Sequence, residues 1–174
     1  MAMDWSKRRR FLSRSVGQPV ISTAQRGLKG QQIMFSEVTS QLRNRAAWLI
    51  SGRYDLIVAA YCLPLPVDLA ANRLIVRDAD EAIAMLRLQR SVFLDRGVVG
   101  LTPSVTAMDL LRAGRFRLWV DWHELAVSEN DLLQSKVIYY CPQTPTGFLI
   151  EMVDYASLAM PGLQPRLAEL ALSA

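Results

Sequence analysis

Residues 115–154 read RFRLWVDWHELAVSENDLLQSKVIYYCPQTPTGFLIEMVD: three apolar, β-branched or aromatic runs separated by two clusters of turn formers. That pattern is what an antiparallel meander requires, and it predicts the wall of a curved sheet. At 174 residues and 51% hydrophobic, the chain can build one full core but not two comfortable ones. Arg or Asp breaks every apolar run before the roughly 18 residues a membrane span needs, so a soluble protein is expected.

Polar chemistry is narrowly supplied. Cys62 and Cys141 lie far apart and belong to no C-x-x-C or Cys/His cluster, which predicts free thiols in a reducing compartment, the cytoplasm. His123 is the sole histidine, so an ordinary zinc site would need carboxylates for most of its ligands and no metal site is expected; no cofactor is expected either. The formal charge of +4 is unevenly spread. Residues 1–33 hold seven Lys and Arg against Asp4 alone, a net +6, which leaves the rest of the chain at −2.

Residues 1–33 show no sustained period and read as a disordered basic tail, or as sequence ahead of a true start at Met34. Arg8, Arg9, Arg10, Phe11 and Leu12 resemble the core of a twin-arginine export signal. Arg14, Gln18 and Arg26 interrupt the apolar stretch that must follow one. A nucleic-acid-binding arm would want interleaved aromatics, so nucleic acid is not the expected partner.

From Ser36 the pattern turns helical. Val38, Leu42, Ala46, Leu49 and Ile50 recur at spacings of three and four, and Gly52 stands where a left-handed cap falls. A short second helix is predicted over 54–61. Pro64 and Pro66 place the next segment at a sheet edge or a strand entry, with short strands over 67–69 and 74–76. Asp78 and Glu81 have capping-box spacing and start a helix over 79–95. Strands follow over 98–106 and 108–111, with an irregularity at Pro103, then over 116–125, 136–141 and 148–155. A proline-punctuated tail closes the chain. The expected organisation is a tail over 1–33, one domain over 34–160, and a C-terminal segment over 161–174 with a short helix.

The order helix, helix, strand pair, helix, meander resembles the nuclear transport factor 2-like superfamily, which includes the SnoaL-like and ketosteroid isomerase-like proteins. The residues carrying the resemblance are Trp48-x-x-x-Gly52-x-Tyr54-Asp55-Leu56, the strand after Tyr61, the Asp78 helix and Trp119-Val120-Asp121-Trp122. It implies a cone-shaped α+β fold, a curved antiparallel sheet wrapped around three N-terminal helices, with a pocket between them. It also implies a homodimer formed through the sheet. The function expected is the binding of a small apolar molecule, or a non-catalytic dimeric module.

Candidate site residues follow from strand alternation. Phe116, Leu118, Val120 and Trp122 share one face of their strand; Arg117, Trp119, Asp121, His123 and Leu125 share the other. If the second face lines the pocket, Asp121 and His123 could move a proton, with Glu151 as a further acid, giving a cofactor-independent lyase, isomerase or hydrolase. If it faces water or a partner, the pair are surface groups, which is the more ordinary pattern of a sheet with one wet side. Trp119, Tyr54, Tyr139 and Tyr155 are the candidate ligand contacts. Tyr139 and Tyr140 must point oppositely, so one of them can line a cavity. The isomerases' general base falls at Leu69, with Asp68 beside it, and their first-helix tyrosine falls near Arg45. Isomerase chemistry is therefore not expected.

Overall fold

The computed structural model describes residues 23–69, 72–110, 113–126, 133–160, 162–163 and 165–167, with side chains from Met34 onward save at Leu110. Helix α1 spans Thr23–Ser51. Its buried residues Val38, Leu42, Ala46 and Leu49 form one stripe. It stops at Gly52, whose φ is +77°. There the Gly52 amide donates to the Leu49 carbonyl at 3.2 Å and the Arg53 amide to that of Trp48 at 2.8 Å, the paired bonds of a Schellman cap.

The helix starts at Thr23, within the segment expected to be disordered. Extending a helix needs no new nucleus, and the Ala, Gln, Arg, Leu and Lys of residues 23–33 carry it onward against the cost of Gly27 and Gly30, without an apolar stripe of their own. The twin-arginine-like run lies outside the described residues.

Helix α2 is a short Tyr54–Val58, and a hairpin of β1 (Leu65–Leu69) with β2 (Asn72–Val76) follows. Helix α3, Ala79–Asp95, begins as expected: the Asp78 carboxylate accepts from the Glu81 amide at 2.9 Å. Glu81 reaches back one residue further than the usual box, accepting from the Arg77 amide at 2.7 Å.

The meander is β3 (Val98–Leu110), β4 (Arg115–Ala126), β5 (Gln134–Thr144), the two-residue β6 (Gly147–Phe148) and β7 (Met152–Ser157). These form one open sheet ordered β2-β1-β7-β5-β4-β3, with β6 paired to β5. The sheet is mixed rather than wholly antiparallel, because β1 runs parallel to β7. The architecture is α+β.

Three prolines explain where the strands depart from expectation. Pro66 is compatible with an interior strand because β1 pairs with β7 only over Val67 to Leu69, so its missing N–H falls at the strand entry. Pro103 leaves β3 unbroken because β3 is an edge; the irregularities fall instead after Val98 and after Val105. The strand expected over 148–155 is split. Pro142, which has no amide to offer, accepts from the Leu149 amide at 3.1 Å, and Ile150 makes only an isolated bridge to Tyr61.

Helix α1 packs on β3 and β6, α3 packs on β3, and α2 touches both α1 and α3. The core between these layers includes Leu42, Ile57, Leu86, Phe116, Leu118 and Ile150. Leu163 and Leu167, 1% and 3% exposed, also belong to it.

Candidate functional site

Phe116, Leu118, Val120, Trp122 and Glu124 are the buried positions of β4, so the even-numbered face looks toward the helices. The matching face of β5 carries Ser135, Val137, Tyr139 and Cys141. Where these rows meet the helices the packing leaves a cavity. Arg45, Ala46 and Leu49 of α1, Ile57 of α2, and Leu86, Gln89 and Phe93 of α3 form one wall. Leu101, Trp122, Glu124, Ser135, Val137, Tyr139 and Tyr155 form the sheet wall, and Met160 closes it. About 40 Å³ is left for the centres of water-sized molecules. This exceeds the roughly 10–15 Å³ that one water needs.

The polar groups in this wall are few and convergent. Nη2 of Arg45 donates to the Tyr61 hydroxyl. The guanidinium carbon lies 4.9 Å from the Tyr61 ring centre and 5.9 Å from that of Tyr139, within cation–π range. No carboxylate pairs with Arg45 among the described residues. Burial opposes its charge, but the Tyr61 and Tyr139 oxygens outweigh that and raise its pKa, so it stays a cation.

The Tyr139 hydroxyl accepts from Trp122 Nε1 at 3.0 Å, and that of Tyr155 from Gln89 Nε2 at 3.5 Å. Burial pushes the Tyr139 phenol up to about 12, partly countered by Arg45. Burial also raises Tyr155, with Tyr139 adding to it. Both phenols therefore keep their protons at neutral pH.

Glu124, 5% exposed, is already engaged. Its two oxygens take Nη1 and Nη2 of Arg96 at 2.7 and 2.8 Å, and Oε2 also accepts from the Leu133 amide at 3.3 Å. Ser135 Oγ accepts from the Ala159 amide at 3.1 Å.

Of the residues singled out from sequence, Tyr139 and Tyr155 line the cavity. Trp122, not Trp119, points into it; Trp119 is on the outer face with the Arg117 guanidinium 5.1 Å from its ring. Asp121 and His123, readable from sequence as a cavity pair or as surface groups, stand on the outer face of β4. Period-two alternation puts both opposite Trp122, so His123 is exposed and Asp121 accepts from Gln134 Nε2 at 2.6 Å. Glu151 is ion-paired with Arg115 at 3.0 Å, and Tyr54 packs against the core near Gly52; neither lines the cavity.

The residues not foreseen are Arg45, Gln89 and Glu124. Their signal was positional. Arg45 is three residues after Leu42 and four before Leu49, Gln89 stands likewise between Leu86 and Phe93, and Glu124 continues the row ending at Trp122.

No family model and no curated protein sequence matches the chain. Solved structures do. A protein of unknown function from Mycobacterium tuberculosis aligns with a TM-score of 0.61 at 6% identity, over 84% of this chain and 93% of its own. An NTF2-like protein with a cystatin-like fold from Novosphingobium aromaticivorans gives 0.59 at 8% identity, over 85% and 97%. A putative scytalone dehydratase from the same organism gives 0.51 at 10% identity, over 74% and 86%. At such identities the likeness is one of fold.

Proposed function

The chain has the nuclear transport factor 2-like fold, and from that premise we propose that its cavity binds a small, largely apolar molecule. A fold hosts many functions, so the argument rests on the site. The supporting observation is a void kept open among Leu49, Ile57, Leu86, Phe93 and Trp122 where Arg45, Tyr139 and Tyr155 enter it. Interiors close-pack wherever side chains allow. An apolar recess with a few convergent polar groups is the usual form of a small-molecule site. Tyr139 and Tyr155 are the proposed contacts retained from the sequence. Asp121 and His123, on the other face of β4, support no second reading inside the cavity.

The test is a titration of the full chain with 3-methylbutan-1-ol, followed by backbone amide chemical shifts. Saturable shifts confined to Ala46, Leu86, Val137 and Tyr139, and lost in Ala46→Leu, are expected. Shifts that rise linearly and everywhere would remove the reading.

We also propose a homodimer through the outer face of β3, β4 and β5, where Trp119 lies half-buried and Leu125 is 48% exposed. Sedimentation velocity decides it: a dimer is expected, with Leu125→Lys shifting it toward monomer, and a monomer at all concentrations refutes it. A reducing compartment such as the cytoplasm suits Cys62 and Cys141, both free.

A further inference from the structure

The hydrogen-bonding capacity of the cavity wall is lopsided. Glu124 offers the only carboxylate among the described lining residues, and Arg96 and the Leu133 amide already occupy it. The Tyr139 and Tyr155 oxygens each accept one bond, from Trp122 and from Gln89, while neither hydroxyl proton has an acceptor among the described residues. Arg45 makes one hydrogen bond with a group that carries five N–H donors. Its Nε and Nη1 have no hydrogen-bond acceptor among the described residues.

Charge points the same way. Arg96 neutralises Glu124, which leaves Arg45 without an ion-pair partner among the described residues. A half-buried guanidinium on an apolar cavity wall bonds an anion more strongly than a neutral acceptor. The stacked faces of Tyr61 and Tyr139 hold the cation in place without neutralising it. What such a wall lacks is a compact acceptor carrying one negative charge.

Size narrows the class. About 40 Å³ of room for water-sized centres suits a short aliphatic body and not a fused ring. The planar fork of an arginine matches carboxylate and phosphate alike, and of the two the smaller, singly charged carboxylate suits the limited room. We infer that the ligand is a short-chain aliphatic monocarboxylate whose carboxylate meets Arg45 and the hydroxyls of Tyr139 and Tyr155 while its alkyl end lies among Leu49, Leu86 and Phe93. This deepens the proposed function and rests on the cavity being a ligand site.

The experiment compares 3-methylbutanoate with the uncharged 3-methylbutan-1-ol and 3-methylbutanamide by calorimetric titration of the full chain at neutral pH. The carboxylate is expected to bind about tenfold tighter than either, the scale of one charge-assisted hydrogen bond over a neutral one. Arg45→Met removes that preference: on that variant the carboxylate binds no tighter than the alcohol, an apolar stem of similar length remaining. Tyr139→Phe, which keeps the ring, narrows the carboxylate's advantage over the alcohol; it carries the test if Arg45→Met does not fold. Equal affinity for carboxylate and alcohol overturns the anion assignment and leaves the cavity reading intact. Binding of neither probe overturns both.

Discussion

At the scale of single residues, the cavity chemistry sits on side chains that local pattern disguises. Arg45 and Gln89 are polar letters inside apolar stripes, and a stripe is read by its apolar members; only counting three and four residues to either side puts them inward. The tyrosines were legible as amphipathic residues in strands, though not which of them meets the helices. Tyr139 supports a prediction on pH. Its phenol is pushed from the ordinary 10.0 to about 12, first by burial, so below pH 10 its contribution to stability is fully present. Between those values the unfolded chain gives up the proton first, and stability falls by on the order of 3 kcal/mol as pH rises through the folded value. Urea denaturation across that range should show the decline, and Tyr139→Phe should lessen it, the raised Tyr155 phenol keeping the remainder. The phenylalanine variant should also lose about 1–3 kcal/mol at neutral pH, because the buried Trp122 N–H loses its acceptor. Gly147 supports a second prediction. Its φ is +139°, and a Cβ there would stand 2.5 Å from Gln41 Oε1. The Gln41 amide bonds the backbone of Phe148 on both sides, donating to its carbonyl at 2.7 Å and accepting from its amide at 3.3 Å. Gly147→Ala should therefore cost about 2 kcal/mol or more, from backbone strain and loss of that clamp. In a double-mutant cycle with Gln41→Ala the two losses should be less than additive, as measured by chemical denaturation.

At the scale of elements, β4 shows what alternation settles and what it leaves open. The two faces of the strand could be written down from sequence, residue by residue. Which face meets the helices depends on whether Trp122 or Trp119 is buried, and both are tryptophans. The answer follows from the whole row, since Phe116, Leu118 and Val120 travel with Trp122. The capping box at Asp78 and the Schellman cap at Gly52 were readable because their chemistry is local. The parallel contact of β1 with β7 was not, because nothing within five residues of either strand names its partner. The face assignment gives a sharp contrast within one strand. Leu118→Ala should destabilise by about 2–5 kcal/mol through the cavity it leaves. His123→Ala, on the exposed face, should stay within about 0.5 kcal/mol. Equal losses at the two positions in thermal or urea unfolding would reverse the faces.

At the scale of the whole molecule, the fold was read from the order of helices and strands by its resemblance to a known family rather than from packing rules. Less of the site was readable, because the cavity belongs to no single element. Its wall draws on α1, α2, α3, β3, β4, β5 and β7, and Met160 joins it from the segment that follows. A ligand held there touches every layer, so it must be released before any layer can leave. Binding energy should then appear in global unfolding rather than in the stiffness of one loop. At a hundredfold excess over its Kd, a ligand that binds only the folded chain adds about 2.7 kcal/mol. For a chain of this length that corresponds to a rise in Tm of roughly 5–10 °C. With 3-methylbutanoate at that excess, calorimetry should show the rise, and far-ultraviolet and near-ultraviolet dichroism should move together. Arg45→Met should bring the carboxylate's effect down to that of the alcohol. A shift in the near-ultraviolet signal alone would mean that the molecule is held by a part of the fold able to open separately, and the cavity would then have fewer walls than its lining residues imply.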